Sequence, residues 1–311
     1  MRALVTGAAG FLGSTLVEAL LDGGSEVVGV DAFVENYPAA LKRTNLAGAL
    51  RHRGFRLVEA DLRTAAFEPL LDGITHVAHL AALPGVRSSW GESFRTYAEH
   101  NVIATQRLLE AVRLHPVERV AVASSSSIYG LPKRFPTPED EMPRPVSPYG
   151  VTKLATEALL HAYWANYRLP VVGLRYFTVY GPRQRPDMGF HSFFEAARLG
   201  TPVTVFGDGE QTRDFTYVDD AVSATVAALG RPAPGLFYNV GGGHRVTLND
   251  VLAKIEAVTG CTIARRRVDP PPGDPRDTSA DVTLARRDLG FTPRIDLTEG
   301  LRRQWEWQSR R

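Results

Sequence analysis

The amino-acid sequence predicts an α/β protein: a doubly wound parallel sheet followed by a smaller C-terminal α/β lobe. Three observations predict this fold class. Short apolar runs alternate with longer helical stretches through the first half of the chain, which is the pattern of strand–helix–strand units on a parallel sheet. Three glycines directly follow the first apolar run and open a helical stretch. Beyond about residue 176 the alternation becomes less regular, which indicates a separate, smaller unit.

The elements of the first half can be assigned in chain order. Ser147 is a suitable N-cap and Pro148 suits the first helical position, so a long helix is expected to begin there. The proline-rich segment 131–148 is expected to be a loop over a site. The apolar runs predicted to form buried strands are 2–7, 26–31, 55–61, 76–82, 119–125 and 171–176.

The second half is expected to contain fewer regular elements. We expect a short strand at 203–207, a helix from about Val218, a strand near 236–242 and a loop at 268–277. The predicted division places residues 1–176, with segments returning near 216–240, in a nucleotide-binding domain. Residues 177–311 then mainly form the smaller lobe, which binds the substrate.

The composition limits the classes of function. With 311 residues, 44% of them hydrophobic and 23% charged, the chain is expected to be a soluble globular protein with a large core. A formal net charge of +2 gives no reason to expect nucleic acid as a partner. No leader precedes the first strand and no apolar run approaches the roughly 18 residues that span a bilayer. We therefore expect no membrane partner and a cytoplasmic location.

No metal site is predicted. His76 and His79 are three apart in a predicted strand, so their side chains point to opposite faces. No other spacing of His, Cys or carboxylates suggests zinc, and the single Cys261 excludes an intramolecular disulfide.

The three glycines predict a dinucleotide site of the Rossmann type. Gly7 permits the tight turn after the first strand, Gly10 lets the backbone approach a pyrophosphate, and Gly13 lets the helix pack on the strand. Free N–H groups at the start of the helix favour the anion. An ordinary strand–helix turn is the alternative. The loop residues assigned to the cofactor are Gly7, Gly10, Phe11, Leu12 and Gly13.

The carboxyl ends of the following strands supply further cofactor contacts. Asp31 ends the second strand, where a carboxylate accepts from the adenosine ribose and repels a 2′-phosphate, so NAD is favoured over NADP. Lys42 and Arg43 lie further along and keep NADP open. Also assigned to the cofactor are Asp61 and Leu62 after the third strand, at the adenine end, and Ala81 at the end of the fourth.

Tyr149 and Lys153 are four residues apart on the helix that begins at Pro148. Residues with this spacing share one face of a helix, so the phenol and the ammonium point the same way. Taken alone, the pair is equally consistent with a surface tyrosine beside a solvated lysine, and motifs elsewhere in the chain decide its meaning.

Those motifs extend over nearly the whole chain. The glycine loop is followed, in order, by "ASSSSIYG", "SPYGVTK", "RYFTVYGPR" and "RDFTYVDD". With them the chain resembles the extended short-chain dehydrogenase/reductase family that acts on nucleotide sugars. The resemblance implies NAD as cofactor, Tyr149 as the acid/base, and Lys153 as the residue that holds the nicotinamide ribose and lowers the pKa of the phenol. It also implies Ser125 as the third catalytic residue, with Ser126 as the alternative.

The resemblance also distinguishes between the reactions that members of the family catalyse. Dehydratases of the family carry Asp-Glu directly after the catalytic serine or threonine, and decarboxylases carry Glu, whereas this chain has Ser126 and Ser127. No carboxylate is therefore expected to take a C5 proton, and the chain resembles an epimerase. Thr178 and the run 185–188 make it similar to UDP-glucuronate 4-epimerases. The implied reaction is the reversible conversion of UDP-glucuronate to UDP-galacturonate through a 4-keto intermediate.

Arginines are expected to bind the acidic parts of the UDP-sugar. The planar fork of Arg185 suits the C6 carboxylate, and a surface-loop arginine is the alternative. Arg183 and Gln184 stand where the family often has Trp-Gly, so the choice between Arg183 and Arg185 stays open. The other substrate residues that the resemblance implies are Ser126 and Thr178 at the sugar, Phe206 at the uracil, and Arg213 and Arg276 at the pyrophosphate.

Two other functions stay open. Within the same enzyme class, UDP-glucose or a UDP-N-acetylhexosamine is the alternative substrate of a 4-epimerase. A non-catalytic NAD-sensing regulator is the alternative from a different class, and the joint presence of Ser125, Tyr149 and Lys153 argues against it. By resemblance, the helix predicted at 92–112 pairs with the Tyr149 helix in a homodimer, although core packing explains that helix equally well.

Overall fold

The computed structural model describes residues 1–230, 233–269, 273 and 275–310. The central feature of these residues is a sheet of seven parallel strands. The described residues form thirteen strands, of which β1–β6 and β11 make up this sheet. They are β1 (Arg2–Thr6), β2 (Glu26–Asp31), β3 (Phe55–Glu59), β4 (His76–His79), β5 (Arg119–Ser125), β6 (Val171–Tyr176), β7 (Val179–Tyr180), β8 (Val203–Phe206), β9 (Thr212–Asp214), β10 (Thr216–Tyr217), β11 (Phe237–Val240), β12 (Arg245–Thr247) and β13 (Arg265–Val268).

Helices connect these strands and cover both faces of the sheet. A single π-helical turn, Glu99–Ile103, joins two of them, and a 3₁₀ turn, Ser126–Ile128, follows β5. The helices are α1 (Phe11–Asp22), α2 (Ala39–Asn45), α3 (Glu68–Leu71), α4 (Ser93–Ala98), α5 (Ala104–Leu114), α6 (Pro148–Tyr167), α7 (Gly189–Leu199), α8 (Val218–Gly230), α9 (Leu248–Thr259), α10 (Thr283–Leu289) and α11 (Leu297–Ser309).

The strand order is β11-β6-β5-β4-β1-β2-β3. The chain adds β2 and β3 on one side of β1 and then crosses to β4 on the other side. This reversal opens a crevice at the carboxyl ends of the strands, the place where ligands bind in sheets of this type. The predicted doubly wound parallel sheet is confirmed, and the strand near 236–242 joins it as β11, beside β6.

The two faces of the sheet bury separate apolar clusters, because successive side chains of a strand point to opposite sides. Ala3 and Val5 of β1 pack with α1 and α8, whereas Leu4 packs with α5 and α6. Every position of β6 is buried, as expected for a strand that is covered on both faces.

Predicted strand bounds agree with the structure where the strand stays inside the sheet. The bounds 26–31, 119–125 and 171–176 are those of β2, β5 and β6. The predictions 55–61 and 76–82 extend too far, since β3 ends at Glu59 and β4 at His79. Beyond those residues the chain leaves the sheet to form the wall of the crevice.

Helix α6 begins as predicted. The Ser147 hydroxyl accepts a hydrogen bond from the Gly150 N–H at 3.1 Å, and Pro148 is the first helical residue. The proline-rich segment before it has no regular structure, as predicted, but it contributes no residue to the crevice wall. It is fastened instead to the C-terminal part of the chain, where Thr137 donates to Ser279 and accepts from Asp281 through backbone groups.

The chain beyond β6 carries the shorter strand pairs. β8 pairs with β13 in parallel and β9 pairs with β12 in antiparallel orientation. The expected loop 268–277 lies between β13 and α10, and its positions 270–272 and 274 are outside the described residues. In the described part of the chain, none of the helices combines the length and the apolar character needed to cross a membrane.

Candidate active site

A cavity of about 420 Å³ opens at the carboxyl ends of the central strands. It brings together most residues that the sequence predicts for the site. The predicted cofactor residues in its wall are Gly7, Gly10, Phe11, Leu12, Gly13, Asp31, Asp61, Leu62, Ala81 and Lys153. Ser125, Ser126, Tyr149, Thr178 and Arg185 line the same cavity, whereas Phe206, Arg213 and Arg276 do not.

The glycine loop forms a cradle at the start of α1. Gly7 adopts φ +69°, a conformation that side chains disfavour, and donates its N–H to the Val30 carbonyl at 2.8 Å. A Cβ at Gly13 would stand 2.0 Å from the Gly7 carbonyl oxygen, so only glycine allows the helix to approach the strand this closely. The first turn of α1 carries no acidic residue, and its N–H groups are suited to a phosphate anion.

Asp31 presents a fixed carboxylate beside this loop. Its Oδ2 accepts from the Ala9 N–H at 3.0 Å and its Oδ1 from the Phe33 N–H at 2.8 Å. Each carboxylate oxygen retains a further lone pair, which a ribose hydroxyl can use.

Lys42 and Arg43, which left NADP as an alternative cofactor in the sequence analysis, both bind other groups of the protein. Lys42 is buried, which lowers its pKa, and its ammonium donates to the Val34 carbonyl at 2.6 Å and to Asn36 Oδ1 at 2.9 Å. Arg43 pairs with Glu59 through two hydrogen bonds. Neither cation is left to meet a 2′-phosphate, and the carboxylate of Asp31 favours the unphosphorylated ribose.

At the adenine end of the predicted cofactor site, Asp61 is held by Arg63. Arg63 Nη2 donates to Asp61 Oδ2 at 2.7 Å, and this contact lowers the pKa of the Asp61 carboxyl. The same guanidinium reaches Glu99 at 3.2 Å. His100 lines the cavity here. The sequence analysis did not assign His100, because it belongs to no motif and lies in the π-helical turn.

The side chains of Tyr149 and Ser125 line the cavity together, and the Ser125 hydroxyl acts to lower the pKa of the phenol. Ser125 caps the 3₁₀ turn that follows β5 and accepts from the Ser127 N–H at 3.2 Å, which fixes its position. Ser125 and Ser126 both line the cavity, and Ser125 is the one whose hydroxyl acts on the pKa of the phenol. Lys153 Nζ lies 6.0 Å from the centre of the Tyr149 ring and donates to the Ala123 carbonyl at 2.8 Å.

The protein's own groups do not lower the pKa of Tyr149 as the sequence analysis expected. Burial raises this pKa, and the Ser125 hydroxyl and the charge of Arg185 oppose the rise only in part. Lys153 is directed at a backbone carbonyl rather than at the phenol oxygen. Burial also lowers the pKa of Lys153 to about 8, while Glu157 acts to raise it.

A network of buried hydrogen bonds connects the π-helical turn to the start of α6. Asn101, in the π-helical turn, accepts from the Leu83 N–H at 2.7 Å and donates to the Thr152 hydroxyl at 3.0 Å. Thr152 in turn donates to the Tyr149 carbonyl. Single π-helical turns often occur at functional sites, and this one joins the chain after β4 to the helix that carries the phenol.

His79 is a structural residue of the same region. Its ring nitrogens pair with the hydroxyls of Thr6 at 2.7 Å and Thr105 at 2.9 Å. Complete burial lowers its pKa to about 3, so the imidazole is neutral at physiological pH. His76 has separate partners, Thr75 and Glu118.

A buried ion pair joins α6 to β6. Arg175 donates to both oxygens of Glu157 at 3.0 and 2.8 Å, and the Ser124 hydroxyl donates to Glu157 at 2.5 Å. Arg175 also donates to the Tyr129 hydroxyl at 2.8 Å. The sequence analysis did not find this pair, because the two residues lie on different elements and have no shared spacing.

The structure distinguishes the two arginines at the predicted carboxylate site. Arg185 lines the cavity and donates through Nε and Nη2 to the two oxygens of Asp187, at 3.0 and 2.9 Å. Arg183 is absent from the cavity wall and binds Glu18 of α1 at 2.7 Å. Of the two, Arg185 is the arginine available to a ligand in the cavity.

The three predicted residues outside the cavity wall lie in the C-terminal part of the chain. Arg213 donates to the Arg276 carbonyl at 2.9 Å, and Arg276 pairs with Asp208 at the same distance. The guanidinium of Arg87 stacks 4.0 Å from the ring centre of Phe206. Because Val86, next to Arg87, lines the cavity, this contact brings Phe206 close to its rim.

Comparison with known proteins gives consistent matches over the full chain. Residues 3–241 match the NAD dependent epimerase/dehydratase family. The uncharacterised UDP-glucose epimerase YtcB of Bacillus subtilis (strain 168) is 45% identical over 97% of this chain and 96% of its own. A UDP-glucuronate 4-epimerase of Thermodesulfobacterium geofontis (strain OPF15) is 36% identical over 98% and 95%. The crystal structure of UDP-glucuronic acid 4-epimerase from Bacillus cereus, in complex with UDP-glucuronic acid and NAD, superimposes with a TM-score of 0.97 at 42% identity, covering 100% of this chain and 99% of that one.

Proposed function

The chain belongs to the NAD dependent epimerase/dehydratase family, and on that premise we propose that it is an NAD-dependent UDP-glucuronate 4-epimerase. It converts UDP-glucuronate reversibly to UDP-galacturonate through a 4-keto intermediate. The observation that carries the assignment is the position of Arg185, which lines the same cavity as Ser125 and Tyr149 and whose charge acts on the phenol. A carboxylate-binding group thus stands beside the acid/base.

The cradle fits NAD. Gly10 lets the backbone approach the pyrophosphate, and the close approach of Gly13 to the Gly7 carbonyl packs α1 against β1. The fixed carboxylate of Asp31 suits the two ribose hydroxyls. Asp61, Leu62 and Ala81 extend the wall along the same path. When bound, NAD supplies hydride acceptance and return at C4 of the sugar.

Tyr149 and Ser125 handle the proton of the O4 hydroxyl. Tyr149 accepts this proton when C4 is oxidised and returns it when C4 is reduced, while the Ser125 hydroxyl shares the hydrogen bond. Since burial raises the pKa of the phenol, the positive charge of Arg185 matters because it favours the phenolate. A general base works best when its pKa is near the working pH.

Arg185 and Thr178 hold the carboxylate at C6. Oxidation at C4 creates a β-keto acid, which is prone to lose carbon dioxide, and a fixed carboxylate orientation opposes that loss. An arginine fork suits this task better than an ammonium, since it binds a carboxylate through two parallel hydrogen bonds.

Elimination is disfavoured by the side chains that follow Ser125. Ser126 and Ser127 line the cavity where dehydratases of the family are expected to carry carboxylates. The buried carboxylate of Glu157 is paired with Arg175, so it is not available as a base for the C5 proton.

The second candidate is a neutral-sugar 4-epimerase, because the relative with 45% identity is named a UDP-glucose epimerase. Incubation of the purified protein with UDP-glucuronate, UDP-glucose and UDP-N-acetylglucosamine, followed by chromatography of the products, separates the two. We expect UDP-galacturonate as the main product and no stoichiometric accumulation of NADH. Preferred turnover of UDP-glucose would make the neutral-sugar function correct.

Tyr149→Phe is the control for contaminating enzyme in this assay. It removes the proton acceptor and keeps the ring, so we expect turnover to fall about 10²–10⁴-fold with little change in UDP-sugar binding. Unchanged turnover would exclude Tyr149 as the acid/base.

We also propose the wider organisation of the protein. Residues 1–176, with segments returning near 216–240, form the cofactor domain, and residues 177–311 mainly form the sugar-nucleotide lobe, in which Phe206, Arg213 and Arg276 approach the uridine diphosphate. The protein acts in the cytoplasm as a homodimer.

A further inference from the structure

The segment 183–188, which carries Arg185, is anchored from outside the cavity. On one side, Arg183 binds both carboxylate oxygens of Glu18 at 2.7 Å. On the other, Gln304 of α11 accepts from the Gly181 N–H and donates to Gln184 Oε1, both at 2.9 Å. These contacts fix the backbone of the segment, but they do not reach the guanidinium of Arg185.

The guanidinium itself is held by Asp187. A guanidinium has two edges that can each bind a carboxylate through two N–H groups, the Nε–Nη2 edge and the Nη1–Nη2 edge. Asp187 occupies the Nε–Nη2 edge, with contacts of 3.0 and 2.9 Å. Among the described residues, none accepts a hydrogen bond from Nη1 of Arg185, whose side chain is only 15% exposed and lines the cavity.

We propose that Asp187 is a positioning residue for recognition of the acid sugar: it holds Arg185 by one edge so that the other edge meets the C6 carboxylate. This inference rests on the proposed function. The Asp187 side chain is 52% exposed and stays bound to Arg185 when the sugar enters, because the two carboxylates use different edges. Asp187 also repels the sugar carboxylate, so its benefit lies in geometry rather than in affinity.

The orientation of the C6 carboxylate matters because the 4-keto intermediate is a β-keto acid. Loss of carbon dioxide breaks the C5–C6 bond, its electron pair passes into the C4 carbonyl as an enolate, and C5 then takes a proton. This cleavage requires the C5–C6 bond to align with the carbonyl π system, and a carboxylate held in one orientation prevents that alignment. An Arg185 released from Asp187 would follow the moving carboxylate instead of restraining it.

The test is Asp187→Asn in the NAD-loaded protein, with Glu18→Gln as the matched control. Both substitutions remove an ion pair from the same segment, but Glu18 does not line the cavity. For Asp187→Asn we expect kcat with UDP-glucuronate to fall about 10- to 100-fold, the equivalent of a hydrogen bond to a charged group. The fraction of UDP-pentose product should rise, and Kd for UDP-glucuronate should stay the same or decrease. Glu18→Gln should retain the wild-type ratio of pentose to epimer.

Each other outcome overturns the inference. An equal rise of UDP-pentose in both variants would mean that any anchor of the segment suffices. Tighter binding with unchanged kcat in Asp187→Asn would mean that Asp187 is only a counter-ion that the sugar displaces. If the wild-type protein does not convert UDP-glucuronate, the proposed function fails and the role of Asp187 with it. If the wild type converts it and Asp187→Asn is indistinguishable, only the role of Asp187 fails.

Discussion

Two opposing effects of the surroundings act on the pKa of the Tyr149 phenol. Arg185 lowers the pKa of Tyr149, while burial raises it, so the balance between the two sets how readily the phenol gives and takes a proton. A shift of one pKa unit corresponds to about 1.4 kcal/mol. Removal of a single charge near the phenol is therefore expected to have a measurable effect on the rate.

Arg185→Ala should selectively impair the acid sugar. Truncation of one member of a desolvated ion pair costs about 2–5 kcal/mol, or roughly 30- to several-thousand-fold in kcat/KM. The loss should be larger for UDP-glucuronate than for UDP-glucose, which has no carboxylate and is affected only through the lost charge near Tyr149. Arg183→Ala is the matched control, since Arg183 binds Glu18 outside the cavity. Equal losses for both sugars in Arg185→Ala would contradict the glucuronate assignment.

Lys153 should set the alkaline limit of activity. Burial lowers its pKa to about 8, so the ammonium is present below that pH and is lost as the pH rises through it. We expect kcat/KM to fall on the alkaline side with a midpoint near pH 8. Glu157→Gln removes the charge that raises this pKa, so it should move the midpoint to lower pH. If Glu157→Gln leaves the midpoint unchanged, a group other than Lys153 causes the fall of kcat/KM at alkaline pH.

At the scale of elements, α6 and β6 are joined by the Glu157–Arg175 pair, which also binds Ser124 near the end of β5. Both side chains are buried. The loss of one partner from a buried ion pair leaves the other as an unpaired charge, which costs more than the pair itself contributes.

Arg175→Met should therefore reduce the free energy of unfolding by about 3–5 kcal/mol. The control is Arg198→Met, which removes an exposed pair with Glu195 on α7 and should cost less than about 1 kcal/mol. Chemical denaturation of both variants measures the difference. Similar losses in the free energy of unfolding for the two variants would show that breaking the buried pair costs no more than breaking the exposed one.

Sequence patterns predicted elements well where one local rule decides the structure. The cap at Ser147 and the bounds of β2, β5 and β6 follow from side-chain preferences that act within a few residues. The π-helical turn at Asn101 was not predictable, because its register depends on contacts with Leu83 and Thr152 from distant elements. The choice between Arg183 and Arg185 stayed open in the sequence analysis for the same reason, since it depends on where Glu18 of α1 lies in the fold.

For the whole molecule, the arrangement of α5 and α6 leaves apolar surface uncovered. On the outer face of α6, Val151, Ala155, Ala158 and Ala162 follow one another at helical spacing, and Val151 is 46% exposed. Ile103, directly before α5, is 52% exposed. Contiguous apolar surface of this kind commonly marks a protein–protein interface, and it supports the proposed homodimer.

Ala158→Arg should separate the two copies. The substitution places a charge in the middle of the α6 stripe, where a partner helix would have to desolvate it. Light scattering after size exclusion should give the mass of a dimer for the wild type and of a monomer for the variant. Ala40→Arg, at an exposed position on α2, is the control and should stay dimeric. A monomeric wild type at micromolar concentration would exclude the homodimer.

Whole-molecule contacts also explain why the sugar lobe was harder to predict than the cofactor loop. The glycine loop can be recognised from seven consecutive residues, from Gly7 to Gly13. Arg213 and Arg276 meet each other across more than sixty positions, and neither lines the cavity. Their predicted contact with the pyrophosphate stays a prediction, because no local pattern states how closely the lobe approaches the sheet.

The link between Gln304 and Gln184 has a consequence for the order in which the protein is made. The glycine loop, Tyr149 and the last strand of the sheet, β11, all leave the ribosome before α11 does. Until α11 folds onto Gly181 and Gln184, the segment that carries Arg185 lacks one of its two anchors. During synthesis, a nascent chain can therefore complete the central sheet before this segment has both of its anchors.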